Sequence, residues 1–360
     1  MTLKLLIVAG GTGGHVFPGL AVASRLKAKG ISLAWIGTET GLESSCIPAA
    51  GISFHVIHAK NVRGKGWRRL MSSPYMMIKS LIEAILLLRK ISPDVVLSMG
   101  GYVSGPVGLA AWILRIPLIV HEQNAIFGLT NRILSLFADK VIVAFQNRAK
   151  RPNHIHAGNP IRDDIRSLAL KEKPQRNGAH FNLLVIGGSL GALAINQLLP
   201  KALALIPESQ RPAVWHQTGP SHFELTQKIY NDENIEAKVV PFIEDMASAY
   251  EWADVLIARA GALTLAEVTA LGLPSILIPF PYAVDDHQTA NAQELHDAGG
   301  TLMIQQSALT PEGLSELILK FHQAPDLRLK MGRTAKQFAK IEATETVADL
   351  CLEVYRDKCA

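Results

Sequence analysis

A histidine follows a run of glycines near the start of the chain, in VAGGTGGHVFPG (residues 8–19). Glycine lets the backbone approach a ligand closely, and the N-terminus of a following helix attracts negative charge. Imidazole suits the removal of a proton from a sugar hydroxyl, and a helix N-terminus disfavours the protonated form of a nearby imidazole. The segment predicts a ligand-binding loop with His15 as general base, and simple capping or packing by His15 is the alternative.

Two further glycine segments have the same design, GGYVSGP (residues 100–106) and GGSLGA (residues 187–192). Each follows an apolar run and precedes a predicted helix. None of the three segments has the G-x-G-x-x-G spacing of dinucleotide sites or the Gly-Lys-Ser/Thr ending of a P-loop. Any one of them is explained equally well as a tight turn, but three together favour a cleft that binds phosphate or diphosphate.

Polar residues also gather where other predicted strands end. IVHEQNAIFG (residues 119–128) places His121, Glu122, Gln123 and Asn124 in a row, as in a sugar-binding loop, although Asn124 could instead cap a helix. Arg162, in AGNPIR, is suited to hold a diphosphate, with an exposed interdomain arginine as the alternative.

The segment ARAGALTLAEVTALGLPSILIPFP (residues 258–281) predicts a strand, a helix and a second strand. The helix start offers amides to phosphate, and Glu267 is placed to accept both hydroxyls of a ribose. Compensation of the helix dipole, worth about 0.3–1 kcal/mol, is the alternative for Glu267. Farther on, Gln288 begins another predicted helix and suits the hydroxyls of a hexose.

The sequence contains no D-x-D motif, because Asp285 and Asp286 are adjacent and no other pair has that spacing. We therefore expect no bound metal and no other cofactor. The positive ends of helices and Arg162 would neutralise a leaving diphosphate instead.

A basic and apolar stretch follows the first strands. Residues 60–69 hold five cations, and residues 75–88 contain only Lys79, Ser80 and Glu83 among charged or small polar residues. The stretch is too short and too interrupted to span a bilayer, but adjacent cations attract anionic headgroups. It predicts a peripheral membrane contact, with a buried core helix as the alternative, and nucleic acid is disfavoured because no binding module is recognisable.

Short apolar runs alternate with helical stretches along all 360 residues, which predicts an α/β fold with doubly wound parallel sheets. The length favours two domains, and LKLLIVAGGTGG near the start is echoed by FNLLVIGGSLGA at residues 181–192. One large sheet with an insertion is the alternative. The predicted strands are residues 3–9, 33–36, 95–98, 118–121, 141–144, 183–186, 255–258 and 276–279.

Composition sets the remaining limits. Three cysteines without metal-ligand spacing indicate a reduced cytoplasmic compartment. The first residues read as a strand rather than a signal peptide. A net charge of +5 is compatible with anionic substrates or an anionic surface.

Taken together, the motifs resemble those of the MurG family of bacterial N-acetylglucosaminyltransferases, from end to end and in the same order. The matching segments are GGTGGHVFPGLAVA, GGYVSGP, HEQNAIFGLTNR, AGNPIR, IGGSLGA, VVPFIEDM, RAGALTLAE, GLPSILIPFP and DDHQTANA. The resemblance implies the GT-B fold, two Rossmann-like domains facing across a cleft, without a tightly bound metal. It implies domains at residues 1–162 and 163–332, with a C-terminal helix at about 333–358 that packs on the first.

The resemblance also implies a reaction and a location. GlcNAc would pass from UDP-GlcNAc to the C4 hydroxyl of the MurNAc unit of lipid I, giving the β(1→4) link of lipid II with inversion. This is a step of peptidoglycan synthesis and so of cell shape and division. The enzyme would be peripheral on the cytoplasmic face of the bacterial inner membrane, where other cell-wall synthesis proteins are further partners. A UDP-GlcNAc 2-epimerase on the same architecture and a non-enzymatic sugar-nucleotide sensor are the alternatives.

Site residues follow from the resemblance position by position. His15 is the catalytic histidine. Substrate contacts are expected at Thr12, Gly13, Gly14, Asn124, Arg162, Ser189, Ile243 (through its backbone, to uracil), Ala262, Leu263, Thr264, Leu265, Ala266, Glu267 (to ribose) and Gln288 (to the hexose). The membrane contact is expected at Trp67, Arg68, Arg69, Tyr75, Met76, Ile78, Ile82, Ile85 and Trp112.

Overall fold

The computed structural model describes residues 3–58, 67–146, 151–171 and 181–359. The chain forms two compact units. The first contains residues 1–162 and 342–360, and the second contains residues 163–341.

The first unit contains a seven-stranded sheet in which all neighbouring strands are parallel. Its strands are β1 Lys4–Ala9, β2 Ser32–Gly37, β3 Ser53–Val56, β4 Val95–Gly100, β5 Leu118–Glu122, β6 Lys140–Val143 and β7 His154–His156. Their order across the sheet is β3-β2-β1-β4-β5-β6-β7. The central strands are apolar throughout because helices cover both faces.

The second unit contains a six-stranded parallel sheet. Its strands are β8 Asn182–Ile186, β9 Ala213–Gln217, β10 Lys238–Val240, β11 Val255–Ala258, β12 Ser275–Leu277 and β13 Leu302–Met303. Their order is β10-β9-β8-β11-β12-β13.

Helices connect the strands in both units. In chain order they are α1 Gly13–Ala28, α2 Glu43–Ala49, α3 Trp67–Ile91, α4 Ser104–Ile113, α5 Leu129–Leu134, α6 Asp163–Ala169, α7 Leu193–Ala204, α8 Phe223–Asp232, α9 Met246–Trp252, α10 Ala262–Leu271, α11 His287–Asp297, α12 Pro311–Gln323, α13 Pro325–Gln337 and α14 Ala343–Cys359.

Side chains of β1 alternate between two separate cores of the first unit. Leu5 and Ile7 pack with residues of α1 and α14 on one face of the sheet. Leu6 and Val8 pack with residues of α3 and α4 on the other face. This alternation is the two-residue period of a strand buried on both sides. The sheet thereby fixes where the loops that follow its strands emerge.

Each sheet has one position where the strand order reverses, because the chain first adds strands on one side of its first strand and then on the other side. The first strand of the first unit, β1, lies between β2 and β4, and the first strand of the second unit, β8, lies between β9 and β11. In open parallel sheets, ligands bind beside such positions, at the carboxyl ends of the strands. All three predicted glycine segments and the predicted helix start at Ala262 follow β1, β4, β8 or β11.

The predicted doubly wound α/β class is confirmed, and two separate sheets replace the alternative of one large sheet. The strand predicted at residues 276–279 ends earlier, at Leu277. Proline has no N–H group, so Pro279 cannot continue the ladder. Strands β3, β7, β9, β10 and β13 were missed because they are short or lie near the sheet edges, where apolar runs are weak.

The C-terminal helix also differs from its predicted span of 333–358. Residues 333–337 belong to α13 of the second unit, and the first unit begins again only at residue 342. Met331 and Ala335 are buried in the second unit, which holds α13 there. Helix α14 joins the first unit through ion pairs of Glu345 with Arg25 and Lys29.

Candidate active site

His15 lies on the first turn of α1, against the end of β4. A Cβ atom added to Gly100 would lie 2.8 Å from His15 Cδ2 and 3.1 Å from His15 Nε2. On the other side of the ring, Nδ1 is 3.5 Å from Thr12 Oγ1. The side chain is half-buried. The imidazole is therefore held between two strand ends, where it can accept a proton from a ligand.

The first two glycine segments pack against each other. Gly101, which follows β4, has a φ of +88°, and a Cβ atom there would overlap the carbonyl oxygen of Gly10. Only glycine fits at this approach. Gly13 and Gly14 begin α1, where backbone N–H groups have no partner within the helix. The close packing leaves Thr12, Gly13 and Gly14 at one surface beside His15.

The loop after β5 is organised by a buried carboxylate, that of Glu122. Its Oε1 accepts the backbone N–H of Asn124 at 3.0 Å, and its Oε2 accepts bonds from Gly128 N at 3.1 Å and Asn131 Nδ2 at 3.0 Å. Burial raises the pKa of Glu122, and the bonds from Asn124, Asn131 and Gly128 oppose that shift. Glu122 therefore shapes the loop, and its Oε1 also accepts a bond from Nδ2 of the half-buried Asn124 at 3.4 Å.

Several buried side chains near this edge hold polar atoms without a hydrogen-bond partner among the described residues. They include His121 Nδ1, Gln123 Oε1, Asn131 Oδ1 and both polar atoms of Asn159. His121 donates from Nε2 to the Gly158 carbonyl oxygen at 3.0 Å. Burial lowers the pKa of His121 to about 4; the bond to Gly158 opposes the shift and nearby His15 adds to it. His121 is therefore neutral at physiological pH.

Arg162 is the last residue of the first segment of the first unit. Its Cζ atom lies 5.6 Å from the centre of the Phe17 ring, on α1. This stacking holds a half-buried cation close to the helix that carries His15.

In the second unit, the loop after β8 exposes Ser189. Gln217, at the end of β9, braces this loop by donating from Nε2 to the Gly188 carbonyl oxygen at 3.0 Å. The same amide accepts the backbone N–H of Ile243 at 3.2 Å through its Oε1. The N–H of Ile243 is thus already used within the protein, so the predicted uracil contact falls to the Ile243 carbonyl.

Helix α10 begins directly beside the end of β11, at the predicted residue Ala262. Gly261 precedes it in an extended conformation and has no side chain to cover the first amides. Glu267, in the second turn, is buried, and its Oε2 accepts a bond from Tyr250 OH at 2.8 Å. Ala262 and Leu265 are buried, while Leu263, Thr264 and Ala266 are half-buried. The helix start can therefore bind an anion, and Tyr250 fixes Glu267.

Gln288 lies in the first turn of α11 and faces the loop after β12. Its Oε1 accepts the backbone N–H of Phe280 at 2.9 Å. Arg259 holds the same loop from the other side, through bonds from Nη1 to the carbonyl oxygens of Ile278 at 3.1 Å and Pro279 at 3.2 Å. Burial lowers the pKa of Arg259 to about 10, so it remains a cation.

The predicted site residues form two groups, one in each unit. Thr12, Gly13, Gly14, His15, Asn124 and Arg162 lie in the first unit, and Ser189, Ile243, Ala262–Glu267 and Gln288 lie in the second. Sequence reasoning missed Gln217, Tyr250 and Arg259. Arg259 directly follows a predicted strand, which is a usable signal. Gln217 is the last residue of a strand that was not predicted. The contact between Tyr250 and Glu267 depends on the tertiary fold and leaves no pattern in the sequence.

The predicted membrane surface is partly described. Ile78, Ile82 and Trp112 are exposed, whereas Met76 and Ile85 are half-buried. The side chains of Trp67, Arg68, Arg69 and Tyr75 lie outside the described residues. The sequence prediction missed further exposed apolar residues on the same helices, on α5 and just after α5, namely Met77, Leu86, Ile113, Leu129, Ile133 and Leu136. Within the described ranges, no helix is long and apolar enough to cross a membrane.

Two family models match this chain. Residues 5–143 match the glycosyltransferase family 28 N-terminal domain, and residues 182–347 match the glycosyltransferase family 28 C-terminal domain. The UDP-N-acetylglucosamine--N-acetylmuramyl-(pentapeptide) pyrophosphoryl-undecaprenol N-acetylglucosamine transferase of Alkalilimnicola ehrlichii is 46% identical over 359 residues, covering 99% of this chain and 100% of the relative.

Solved structures also resemble this chain. MurG of Acinetobacter baumannii has a TM-score of 0.80 and 38% identity, with 98% of this chain and 99% of that chain covered. The UDP-GlcNAc 2-epimerase of Neisseria meningitidis has a TM-score of 0.67 at 13% identity, with 98% and 100% covered, which shows a shared fold alone. The fold is therefore GT-B-like. The chain belongs to the MurG family of N-acetylglucosaminyltransferases, within glycosyltransferase family 28.

Proposed function

We propose that this enzyme transfers GlcNAc from UDP-GlcNAc to the C4 hydroxyl of the MurNAc unit of lipid I, forming the β(1→4) bond of lipid II in peptidoglycan synthesis. The observation that carries the proposal is similarity of 44–46% identity, over nearly the full chain, to transferases whose names state these substrates. The epimerases of the same fold share only 13–16% of their residues with this chain.

The acceptor side of the reaction is assigned to the first unit. His15 accepts the proton of the C4 hydroxyl as its oxygen attacks the anomeric carbon of GlcNAc. The bond between that carbon and the diphosphate oxygen breaks at the same time, and UDP leaves from the opposite face, so the α-linked donor gives a β-linked product. The position of the ring beside the ends of β1 and β4 supports this role. Thr12, Gly13, Gly14 and Asn124, although they belong to the first unit, are assigned to contacts with the donor.

The donor side is assigned to the second unit. The start of α10 and Ser189 bind the diphosphate, Glu267 binds the ribose hydroxyls and the Ile243 carbonyl accepts a bond from uracil. Gln288 contacts the hexose through its amide nitrogen, because its Oε1 is used by Phe280. Arg162 and the helix start neutralise the charge that develops on the leaving diphosphate, without a metal held by a D-x-D motif.

The membrane contact is assigned to the exposed apolar side chains of α3, α4 and α5 and of Leu136, two residues after α5. We name this set the apolar strip: Met77, Ile78, Ile82, Leu86, Trp112, Ile113, Leu129, Ile133 and Leu136. Helix α4 packs against both α3 and α5, so the three helices that carry these side chains are neighbours. The cations Lys79, Arg115 and Arg132 are exposed on the same helices or at their ends. An exposed apolar surface with cations is the expected design for peripheral binding to anionic lipid. This surface supports our proposal that the enzyme binds peripherally at the cytoplasmic face of the membrane, with lipid I and other cell-wall synthesis proteins as its partners.

The proposal is tested by incubating the enzyme with UDP-GlcNAc labelled in the sugar and a soluble lipid I analogue. We expect labelled disaccharide and free UDP, both of which require the acceptor. Conversion of UDP-GlcNAc to an epimer without acceptor would instead support the epimerase alternative. Tight binding of UDP-GlcNAc with no turnover in the presence of acceptor would support a sensor.

A further inference from the structure

A second buried carboxylate, that of Glu43, lies beneath the loop that carries the proposed catalytic base. Glu43 begins α2, and its side chain is fully buried. Its Oε1 accepts bonds from Thr38 N at 2.9 Å and Thr38 Oγ1 at 2.7 Å. Its Oε2 accepts the backbone N–H of Gly11 at 3.2 Å. The carboxylate thus ties the end of β2 to the loop after β1.

Three glycines leave the space that this carboxylate occupies. A Cβ atom would lie 2.7 Å from Glu43 Oε1 if added to Gly10 and 2.5 Å from Glu43 Cγ if added to Gly37, and one added to Gly41 would overlap the carboxyl group. Gly10 is therefore needed to accommodate Glu43, whether or not a ligand approaches it. The Gly11 N–H is also directed at the carboxylate, so this loop has one donor fewer for an anionic ligand.

The contacts continue from Glu43 to His15 in three steps. Glu43 holds the amide of Gly11, and Gly11 precedes Thr12. The Thr12 carbonyl oxygen accepts the His15 backbone N–H at 3.1 Å, and Thr12 Oγ1 lies 3.5 Å from His15 Nδ1. The Thr12 side chain makes no capping bond to the helix amides, and the bond from Gly11 to the carboxylate is one of the contacts that fix this turn.

We propose that Glu43 is a positioning residue that sets the orientation of the His15 imidazole through Gly11 and Thr12. Removing the charge would let the Gly11–Thr12 turn rotate and would move the ring relative to the acceptor hydroxyl. Small displacements of a catalytic group reduce turnover strongly, whereas donor binding in the second unit is left intact. The effect on turnover rests on the proposed function, but the orientation of His15 can be measured without it.

The test uses Glu43→Gln, which keeps the size of the side chain but presents an N–H group to the Gly11 N–H. Glu39→Gln is the matched control because Glu39 is exposed and lies four residues earlier. We expect Glu43→Gln to lower kcat about tenfold with the KM for UDP-GlcNAc unchanged, and Glu39→Gln to change neither. In a His15→Ala background, Glu43→Gln should lower the remaining kcat less than about twofold, because both changes act on one group. An equal loss in both backgrounds, or a raised donor KM with normal kcat, would overturn the proposal.

A second readout does not depend on activity. The imidazole proton signals of His15, identified by their loss in His15→Ala, should shift and titrate differently in Glu43→Gln but not in Glu39→Gln. If the wild-type protein transfers no GlcNAc, the proposed function fails, but the spectrum still tests the role of Glu43. Unchanged His15 signals in Glu43→Gln would refute that role.

If Glu43→Gln does not fold, a second pair of variants tests the same contact. Thr38→Val removes one donor to Glu43, and Thr38→Ser restores it. A kcat that falls in Thr38→Val and recovers in Thr38→Ser supports the proposal, and equal values in the two variants contradict it.

Discussion

At the residue scale, His15 is the group on which the proposed chemistry depends most. Replacing it by alanine should lower kcat at least ~100-fold, the usual scale for loss of a general base. The KM for UDP-GlcNAc should stay near the wild-type value, because the contacts to uracil and ribose are assigned to the second unit. Steady-state kinetics with a soluble acceptor measures both constants.

The matched control for this substitution is His222→Ala, since His222 is half-exposed in the second unit, outside the proposed site. It should behave as the wild type. A raised donor KM with unchanged kcat in His15→Ala would assign His15 to donor binding and refute its role as base.

The bond between Tyr250 and Glu267 gives a second prediction at this scale. Tyr250→Phe removes only the hydroxyl that donates to Glu267 Oε2. Without this bond, the carboxylate is less well oriented toward the ribose, so we expect the donor KM to rise by up to about tenfold, equivalent to about 1.4 kcal/mol. Glu267→Ala should raise it further.

The control is Tyr355→Phe, which changes a tyrosine of α14 in the first unit. Titration with UDP-GlcNAc by calorimetry should rank the affinities as wild type and Tyr355→Phe first, Tyr250→Phe second and Glu267→Ala last. An unaltered affinity in Glu267→Ala would remove Glu267 from the donor site.

At the element scale, α14 is held on the first unit by a small network of charges. Glu345 pairs with Arg25 and with Lys29, and Asp349 also pairs with Lys29. The hydrogen bond from Lys29 is the main reason that the pKa of Glu345 is lowered, and Arg25 contributes to the same shift. A lowered carboxyl pKa means that the network stabilises the fold above the unfolded pKa, and that this contribution is lost as pH falls through the folded value.

Glu345→Gln should therefore reduce the free energy of unfolding at pH 7, by about 1 kcal/mol or less because the pairs are partly exposed. The difference from the wild type should shrink as the pH is lowered below about 4.5, the usual pKa of the group. Urea unfolding at pH 7 and pH 3 measures it, with the exposed Glu236→Gln as control. A difference that stays constant with pH would show that the ion pairs do not stabilise α14.

The elements also show how far sequence alone leads. The apolar runs of β1, β4 and β8 and the glycines after them predict a central strand followed by a binding loop, because burial on both faces and a close approach both leave a local pattern. The link from Tyr250 to Glu267 leaves none, since it depends on which helices the fold places side by side. Gln217 was missed because β9, the strand that it ends, was not predicted. Gly10 was misread in part, because the space it leaves is filled by Glu43.

At the scale of the whole molecule, membrane binding should depend on the apolar strip. Ile78→Asp combined with Ile82→Asp places two charges among exposed apolar side chains of α3. We expect at least tenfold weaker sedimentation with phosphatidylglycerol vesicles, because buried apolar area and cationic attraction both contribute. Transfer to a soluble acceptor should be unaffected.

Leu225→Asp is the matched control, because Leu225 is similarly exposed on α8 of the second unit. It should sediment like the wild type. Normal vesicle binding by the double variant would exclude the apolar strip of the described residues as the membrane contact. If high salt abolishes vesicle binding but the substitutions have no effect, the interaction with the membrane is purely electrostatic.

The central claim is that the chain forms a β(1→4) bond from an α-linked donor. The most direct measurement is the proton NMR spectrum of the disaccharide made from UDP-GlcNAc and a soluble lipid I analogue. We expect a large coupling constant at the new anomeric proton, as in a β-glycoside, and a link to O4 of MurNAc. An α-linked product, or no disaccharide while UDP-GlcNAc is consumed, would contradict it.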